Sequence, residues 1–353
     1  MILQGRSSMT GGLLFIYMEQ LSFSFVVPVY NRPDEIEELL DSMAKLDFDK
    51  PFEIVIVEDG SERASERIVH KFSSELHISY YKKKNTGPGD SRNYGMKNAK
   101  GNYFIVLDSD CLLPNHYLKE VERQLLKDFV HCFGGPDAAH ESFSDIQKAI
   151  DFVMTSFLTT GGIRGNKKRV DRFQPRSFNM GISREAFERT GGFGNIHPGE
   201  DPDLTFRIWE QGYKTRLFDQ AFVYHKRRID WKRFHTQVKK FGMVRPILNK
   251  WHPGTSKLTY WFPTFFCLGI VLSLVSFLFD VTWPLFIFGT YTAVIFISVL
   301  FLKKSLKVAF YSICALFIQF FGYGYGFLKS TILVNFSSRE PESIFPKLFF
   351  NRA

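Results

Sequence analysis

The chain reads as an open, mostly parallel α/β sheet flanked by helices, followed by an apolar helical region. Three observations predict this. Short β-branched and aromatic runs alternate with helical patterns through the first half of the 353 residues. Acidic or turn residues recur at the ends of the first, second and fourth of those runs, clustering polar groups along one sheet edge. Three charge-free stretches then follow at 262–279, 283–302 and 308–328, each long enough to cross about 30 Å of hydrocarbon as a helix.

The elements follow in order. Residues 1–21 read as a loose extension. Phe23, Phe25, Val26, Val27 and Val29 mark the first strand. Pro33 opens a helix with Asp34 and Glu35 in its first turn, favourable at the positive end of the helix dipole. Its apolar face is Ile36, Leu39, Leu40, Met43 and Leu46. The second strand, 54–57, ends in Glu58-Asp59-Gly60-Ser61. Ile68, Val69 and Phe72 give the next helix, 78–81 a third strand, 85–89 a turn and 90–99 a helix. Tyr103 to Leu107 is a strand buried on both faces, ending in Asp108-Ser109-Asp110. Pro114 then opens a helix with Leu118, Val121 and Leu125. Alternation at this spacing implies right-handed crossovers. The divisions are a catalytic-type domain at 22–250, a helical region of two or three spans at 251–335 and a tail at 336–353.

The net charge is +9. Lys82-Lys83-Lys84, Lys226-Arg227-Arg228, Lys232-Arg233 and Lys239-Lys240 read mostly as solvated surface. Beside a membrane they also attract anionic headgroups, each worth about 1 kcal/mol. No recognised nucleic-acid module accompanies the charge, which argues against a nucleic-acid partner. Cys111, Cys132, Cys267 and Cys314 show no CxxC spacing, so neither a disulfide framework nor a zinc site is expected. The run 13–17 is too short for a secretory h-region, which keeps the first domain cytoplasmic on an inner, multi-pass membrane protein. Lys303, Lys304 and Lys307 fit a cytoplasmic loop, but a third full span would put Lys329, Arg339, Lys347 and Arg352 outside. The third stretch also carries Gly322, Gly324 and Gly326, which make it the weakest span.

Asp108 and Asp110 carry the chemistry. Two carboxylates one residue apart at a strand end need a counter-charge, because desolvating an unpaired carboxylate is prohibitive. Oxygen-ligated Mg²⁺ or Mn²⁺ bridging to a phosphate is the natural partner. Both residues also fit ordinary strand-end turns, and Arg92 a surface partner for a carboxylate. Asp201, before Pro202 and a helical pattern, also fits a helix cap, and His225 a satisfied strand histidine.

Six segments in order make the chain resemble the family 2 glycosyltransferases, inverting enzymes of the GT-A nucleotide-sugar fold. They are 27–32 (Val-Pro-Val-Tyr-Asn-Arg), 58–61, 87–95 (Gly-Pro-Gly-Asp-Ser-Arg-Asn-Tyr-Gly), 108–110, 179–193 and 199–204 (Gly-Glu-Asp-Pro-Asp-Leu). The resemblance implies that Pro28 and Tyr30 border the base and ribose pocket, and that Asp59 bonds the nucleobase edge. It brings Arg92 near the nucleotide and counts Glu200 among the substrate-binding residues. Asp108 would contact the ribose or the metal shell, Asp110 would coordinate Mn²⁺ or Mg²⁺, and His225 would add to the metal shell. Asp201 would be the general base. Glu58 departs from the family's usual second aspartate. Gln237-Val238-Lys239-Lys240-Phe241 lacks the arginine and tryptophan of the processive Q-x-x-R-W motif. The implied activity is therefore transfer of a single sugar from a nucleotide diphosphate donor to a lipid-linked or saccharide hydroxyl, in cell-surface glycan synthesis. A processive synthase, a polyprenyl-phosphate sugar transferase and an inert membrane binding protein are the alternatives.

Overall fold

The computed structural model describes residues 21–138, 143–160, 172–225 and 230–350. The extension expected at 1–21 lies almost wholly outside the described residues, as does the Lys226-Arg227-Arg228 run. A seven-stranded sheet runs in the order β3 (Ile78–Lys83), β2 (Glu53–Asp59), β1 (Phe23–Val29), β4 (Tyr103–Leu107), β8 (Asn179–Ser183), β6 (Cys132–Gly134) and β9 (Thr215–Leu217). The first four strands are mutually parallel, and β8 runs antiparallel to β4 and β6. Alternate side chains of these strands feed two cores, one on each face. Phe25, Val27 and Val29 pack with the helices Pro33–Ala44 and Tyr117–Lys127. Val26, Val55 and Val57 pack with the helices Pro88–Asn98, Arg184–Thr190 and Glu200–Glu210. Each such fully buried aliphatic side chain contributes about 1.5–3 kcal/mol. The strands therefore need no propensity beyond their apolar content.

A second, three-stranded sheet, β5 (Cys111–Leu112), β10 (Val223–His225) and β7 (Asp137–Ala138), sits beyond the end of β4. Its antiparallel register sets His225 opposite Cys111, next to Asp110.

Among the described residues three helices are long and apolar enough to cross a membrane: Leu258–Phe277, Trp283–Lys303 and Leu306–Phe336. The first two expose Leu272, Phe277, Trp283, Phe286 and Phe301. The third behaves differently. At 31 residues it is about 46 Å long, and both of its ends touch the first domain. Lys307 pairs with Asp145 of the helix Asp145–Thr155 at 3.1 Å, and Val334 packs with Ile196 and Phe206. Between those points it lies along the helix Trp231–Trp251, at so close an approach that a Cβ on Gly242 would overlap the Tyr323 carbonyl and one on Gly326 the Lys239 carbonyl. Small residues permit this approach, as in membrane helix pairs. Beyond this helix the chain returns: Leu348 O accepts from His197 N at 2.7 Å, and Phe350 N donates to Asn195 O at 3.0 Å.

A charged joint fixes the helix Trp231–Trp251 to the helix Glu200–Glu210. His252, 5% exposed, donates from Nε2 to Asp203 (2.9 Å) and from Nδ1 to Glu210 (2.7 Å). Two carboxylate partners require both ring nitrogens to carry protons. Burial opposes that charge, yet the two carboxylates raise the His252 pKa above the ordinary histidine value, while His252 and Arg207 hold Asp203 down against its own burial.

Two outcomes test this packing. Gly242→Val should separate the two long helices, cost about 1–3 kcal/mol by overpacking and lower the thermal midpoint; an unchanged midpoint contradicts the close approach. The stabilisation that His252 adds over His252→Gln should be full below about pH 6.5 and fade as pH rises through its elevated folded-state value. Paired melts across that range check the sign, and a difference that grows with pH contradicts it.

Candidate active site

The site lies at the C-terminal ends of β1, β2 and β4, where open α/β sheets bind ligands. Asp59 is the last residue of β2, and the β2–β3 register sets it opposite Lys83. Its Oδ1 accepts from Lys83 Nζ at 2.6 Å and from Thr86 N at 3.0 Å, and its Oδ2 from Gly87 N at 3.0 Å. A buried carboxylate with these donors holds the 85–89 turn in place. Gly87 takes φ +95° there, a conformation open to glycine. Glu58 faces the other way: it accepts from Tyr80 OH (2.8 Å), Ser65 N (2.8 Å) and the Ser61 hydroxyl, and so braces the loop after β2. Its departure from aspartate thus serves the scaffold. Pro28 is half-buried and Tyr30 is 52% exposed, leaving the end of β1 open to a ligand.

Arg92 is the hub. Only 4% exposed, it donates from Nη2 to Asp108 Oδ1 (2.7 Å) and from Nη1 to Glu200 Oε1 (3.3 Å), and its guanidinium lies 5.3 Å from the Phe193 ring centroid. It joins the end of β4 to the start of the helix Glu200–Glu210. Burial alone would lower its pKa, but Asp108 and Glu200 raise it.

Two consecutive carboxylates open that helix and behave oppositely. Burial disfavours the charge on Glu200, but His197, whose Nδ1 lies 2.9 Å from Oε1, and Arg92 hold it down to about 2. Asp201 has its Oδ1 buried with no hydrogen-bond partner. Burial and the neighbouring Glu200 charge push it up to about 6, against Arg92, Arg176 and the Ser177 hydroxyl. Near a helix N-terminus the dipole favours an ionised carboxylate; desolvation wins here. Asp201 is not the cap: Gly199 occupies that position, at φ +124°.

Asp110 and His225 come together as the resemblance implies, with Nε2 3.0 Å from Oδ1. The His225 ring stacks on Phe178, with centroids 5.0 Å apart. Burial opposes the Asp110 charge, but His225 and Arg32 lower its pKa. Asp108 is turned toward Arg92 and is not part of this cluster; the third nearby donor is Cys111, with all three ligand atoms within 4.8 Å of one another. Cys111 is fully buried, its thiol raised well above the ordinary value by burial, and it donates to Phe178 O at 3.4 Å. An oxygen-loving dication therefore fits Asp110 and His225, with Cys111 as packing. Arg32, which grips Glu35 at 2.9 Å, leaves Nη1 3.9 Å from Asp110, and Ser109 donates to the same Glu35 carboxylate.

Sequence reading missed several of these groups. Lys83 sat unmarked in a basic run read as surface, yet its side chain is 13% exposed and tied to Asp59. The burial of β3 does not alternate, so no local pattern set Lys83 apart from Lys82. Glu35, read as a first-turn acid, is 2% exposed and supports the Asp110 loop. His197, Arg176 and Arg245 had no sequence signal.

Residues 24–191 match glycosyl transferase family 2. Over 103 residues the chain is 39% identical to the poly(ribitol-phosphate) beta-N-acetylglucosaminyltransferase TarS of Staphylococcus aureus, a stretch covering 28% of this chain and 18% of that relative. Over 236 residues it is 27% identical to the chondroitin synthase of Escherichia coli, covering 58% of this chain and 34% of the relative. The chain thus spans a minor part of the curated relatives it matches. A mannosyltransferase from Pyrobaculum calidifontis, solved with GDP-Man and Mn²⁺, superposes over 95% of this chain and 97% of its own at TM-score 0.53 and 14% identity, which speaks for the fold alone. The sheet order, the placement of the acidic motifs on one edge and these matches agree, and residues 24–191 carry the glycosyl transferase family 2 pattern.

Proposed function

We propose that the chain is a membrane-associated inverting glycosyltransferase that moves one sugar from a nucleotide diphosphate donor to a hydroxyl of a lipid-linked or saccharide acceptor. The observation that carries this reading is Asp201: a carboxylate with an unbonded, buried oxygen and an acidity moved to about 6, beside a partner that stays ionised. Environments that push two neighbouring acids apart are the mark of acid–base assignment.

In the proposed reaction the acceptor oxygen attacks the anomeric carbon from the face opposite the leaving group. The bond from that carbon to the diphosphate oxygen breaks, and the nucleoside diphosphate departs. The acceptor proton passes to Asp201 Oδ1, the free acceptor of the pair. Pro28, Tyr30 and Asp59 supply the nucleoside side of the pocket, in line with the family. Arg92 pairs with Asp108 and Glu200 and holds the helix Glu200–Glu210 against the strand end. Asp110 and His225 would hold Mn²⁺ or Mg²⁺, which when bound offsets the charge developing on the leaving diphosphate.

The membrane side supports a hairpin reading. With Leu306–Phe336 running along the first domain, the helices Leu258–Phe277 and Trp283–Lys303 are left to enter the bilayer as a pair. Lys303, Lys304, Lys307, Lys329, Arg339 and Lys347 then share one side, as the positive-inside rule asks. A tethered enzyme meets a lipid-linked acceptor at high effective concentration.

Asp201→Asn should reduce transfer by about 10²–10⁴-fold while leaving nucleotide affinity within error. In the wild type, transfer should fall as pH drops through about 6, where Asp201 takes up its proton. A screen of UDP- and GDP-sugars with membrane lipid extract, reading released nucleoside diphosphate, gives both results. Full activity in the variant removes Asp201 as the base. EDTA should silence the enzyme and Mn²⁺ or Mg²⁺ restore it; transfer indifferent to EDTA removes the metal from the account.

A further inference from the structure

The mechanism leaves two half-buried cations unused, Arg176 and Arg245. Arg176 lies in the approach to β8, and Arg245 lies on the helix Trp231–Trp251 one residue beyond Val244, which packs so closely on Gly199 that a Cβ there would overlap it. Arg245 Nη1 is buried with no hydrogen-bond partner, and its guanidinium carbon sits 4.5 Å from the centroid of the Tyr260 ring, itself 3% exposed. Among the described residues neither guanidinium has a carboxylate within 4.0 Å. Burial lowers the Arg176 pKa and the Arg245 charge lowers it further, while Asp201, Glu200 and Asp137 oppose that.

The charges stand in an order. Asp108 bonds Arg92, and Arg92 bonds Glu200. Asp201 lies within electrostatic reach of both Arg92 and Arg176, and Arg176 within reach of Arg245. Glu200 and Asp201 act favourably on both Arg92 and Arg176, whereas Arg245 adds a repelling charge to Arg176. The two like charges repel, and the buried Nη1 of Arg245 is left unsatisfied; an anionic ligand relieves both costs. Arginine's planar fork fits a phosphoryl group. The place is also telling, because the helix that carries Arg245 packs along Leu306–Phe336 and leads, through Tyr260, into the first apolar helix.

We propose that Arg176 and Arg245 form a receptor for a phosphoryl group carried by the acceptor, seated across Asp201 from the donor diphosphate. This rests on the glycosyl-transfer reading and deepens it. The accepting hydroxyl meets Asp201 while the phosphoryl end of the same molecule, presented from the membrane side, is gripped by the arginine pair.

The test is binding to the full-length protein in detergent, with farnesyl phosphate, farnesol and inorganic phosphate as probes and UDP and GDP titrated in parallel. Farnesyl phosphate should bind at least tenfold tighter than farnesol. Arg176→Gln and Arg245→Gln should each lose about tenfold, and Arg245→Lys should keep most of the affinity. Nucleotide affinity should stay within twofold in every variant, and the glutamine variants should melt no lower than wild type. Equal binding of farnesyl phosphate and farnesol, glutamine variants that keep the preference, or variants that melt lower would each overturn the receptor. So would capture of inorganic phosphate with no gain for the lipid-borne group. A wild type that binds neither UDP nor GDP overturns the glycosyl-transfer reading instead, so the two failures are distinguishable.

Discussion

The Arg92 guanidinium is the constraint on which the rest of the site depends. It is buried between Asp108, at the end of β4, and Glu200, at the start of the helix Glu200–Glu210, residues separated by ninety-two positions of chain. A buried ion pair is weak evidence for stability, because desolvation offsets most of its attraction. Its value here lies in registry. One planar cation ties the strand end to the helix and, with His197, keeps Glu200 charged, which leaves Asp201 as the member of the acidic pair with appreciable proton affinity near neutrality.

That registry produces a site with two electrostatic halves. On one side Asp110 and His225, supported by Arg32, Glu35 and Ser109, form a compact polar corner suited to a dication and a diphosphate. On the other, Asp201 keeps an unbonded oxygen among arginines. In the proposed reaction Asp110 and His225 would serve the leaving group and Asp201 would accept the proton, the division of roles that backside displacement needs. The C-terminal part of the chain takes part in this geometry. Val244 wedges against Gly199, Leu348 and Phe350 bond residues 197 and 195, and His252 ties Asp203 to the same helix, so the turn before Asp201 is held from three directions.

Much of this was legible in the sequence, for identifiable reasons. The parallel strands declared themselves because strands buried on both faces must be continuously apolar. Asp59, Asp108, Asp110 and Asp201 stood out because strand ends and helix starts are where charges gather. What stayed hidden were relations between distant residues. Nothing local told Lys83 apart from its basic neighbours, or said that Arg92 would reach Glu200. His225 meets Asp110 only through the pairing of two very short strands. The third apolar stretch read as a separate span, because apolar length does not reveal that Gly242 and Gly326 let two long helices touch along their backbones. Arg176 and Arg245 were invisible for the same reason: a cation's worth depends on what fails to surround it.

The most direct test of this charge arrangement is a crystal structure of the full chain with Mn²⁺ and UDP or GDP, located by the anomalous signal of the metal. The account predicts a manganese peak bounded by Asp110 and His225, the diphosphate on that flank, and Arg92 still joining Asp108 to Glu200, with Asp201 facing the opposite side. Manganese bound elsewhere, or Asp201 on the diphosphate side of Arg92, would contradict it.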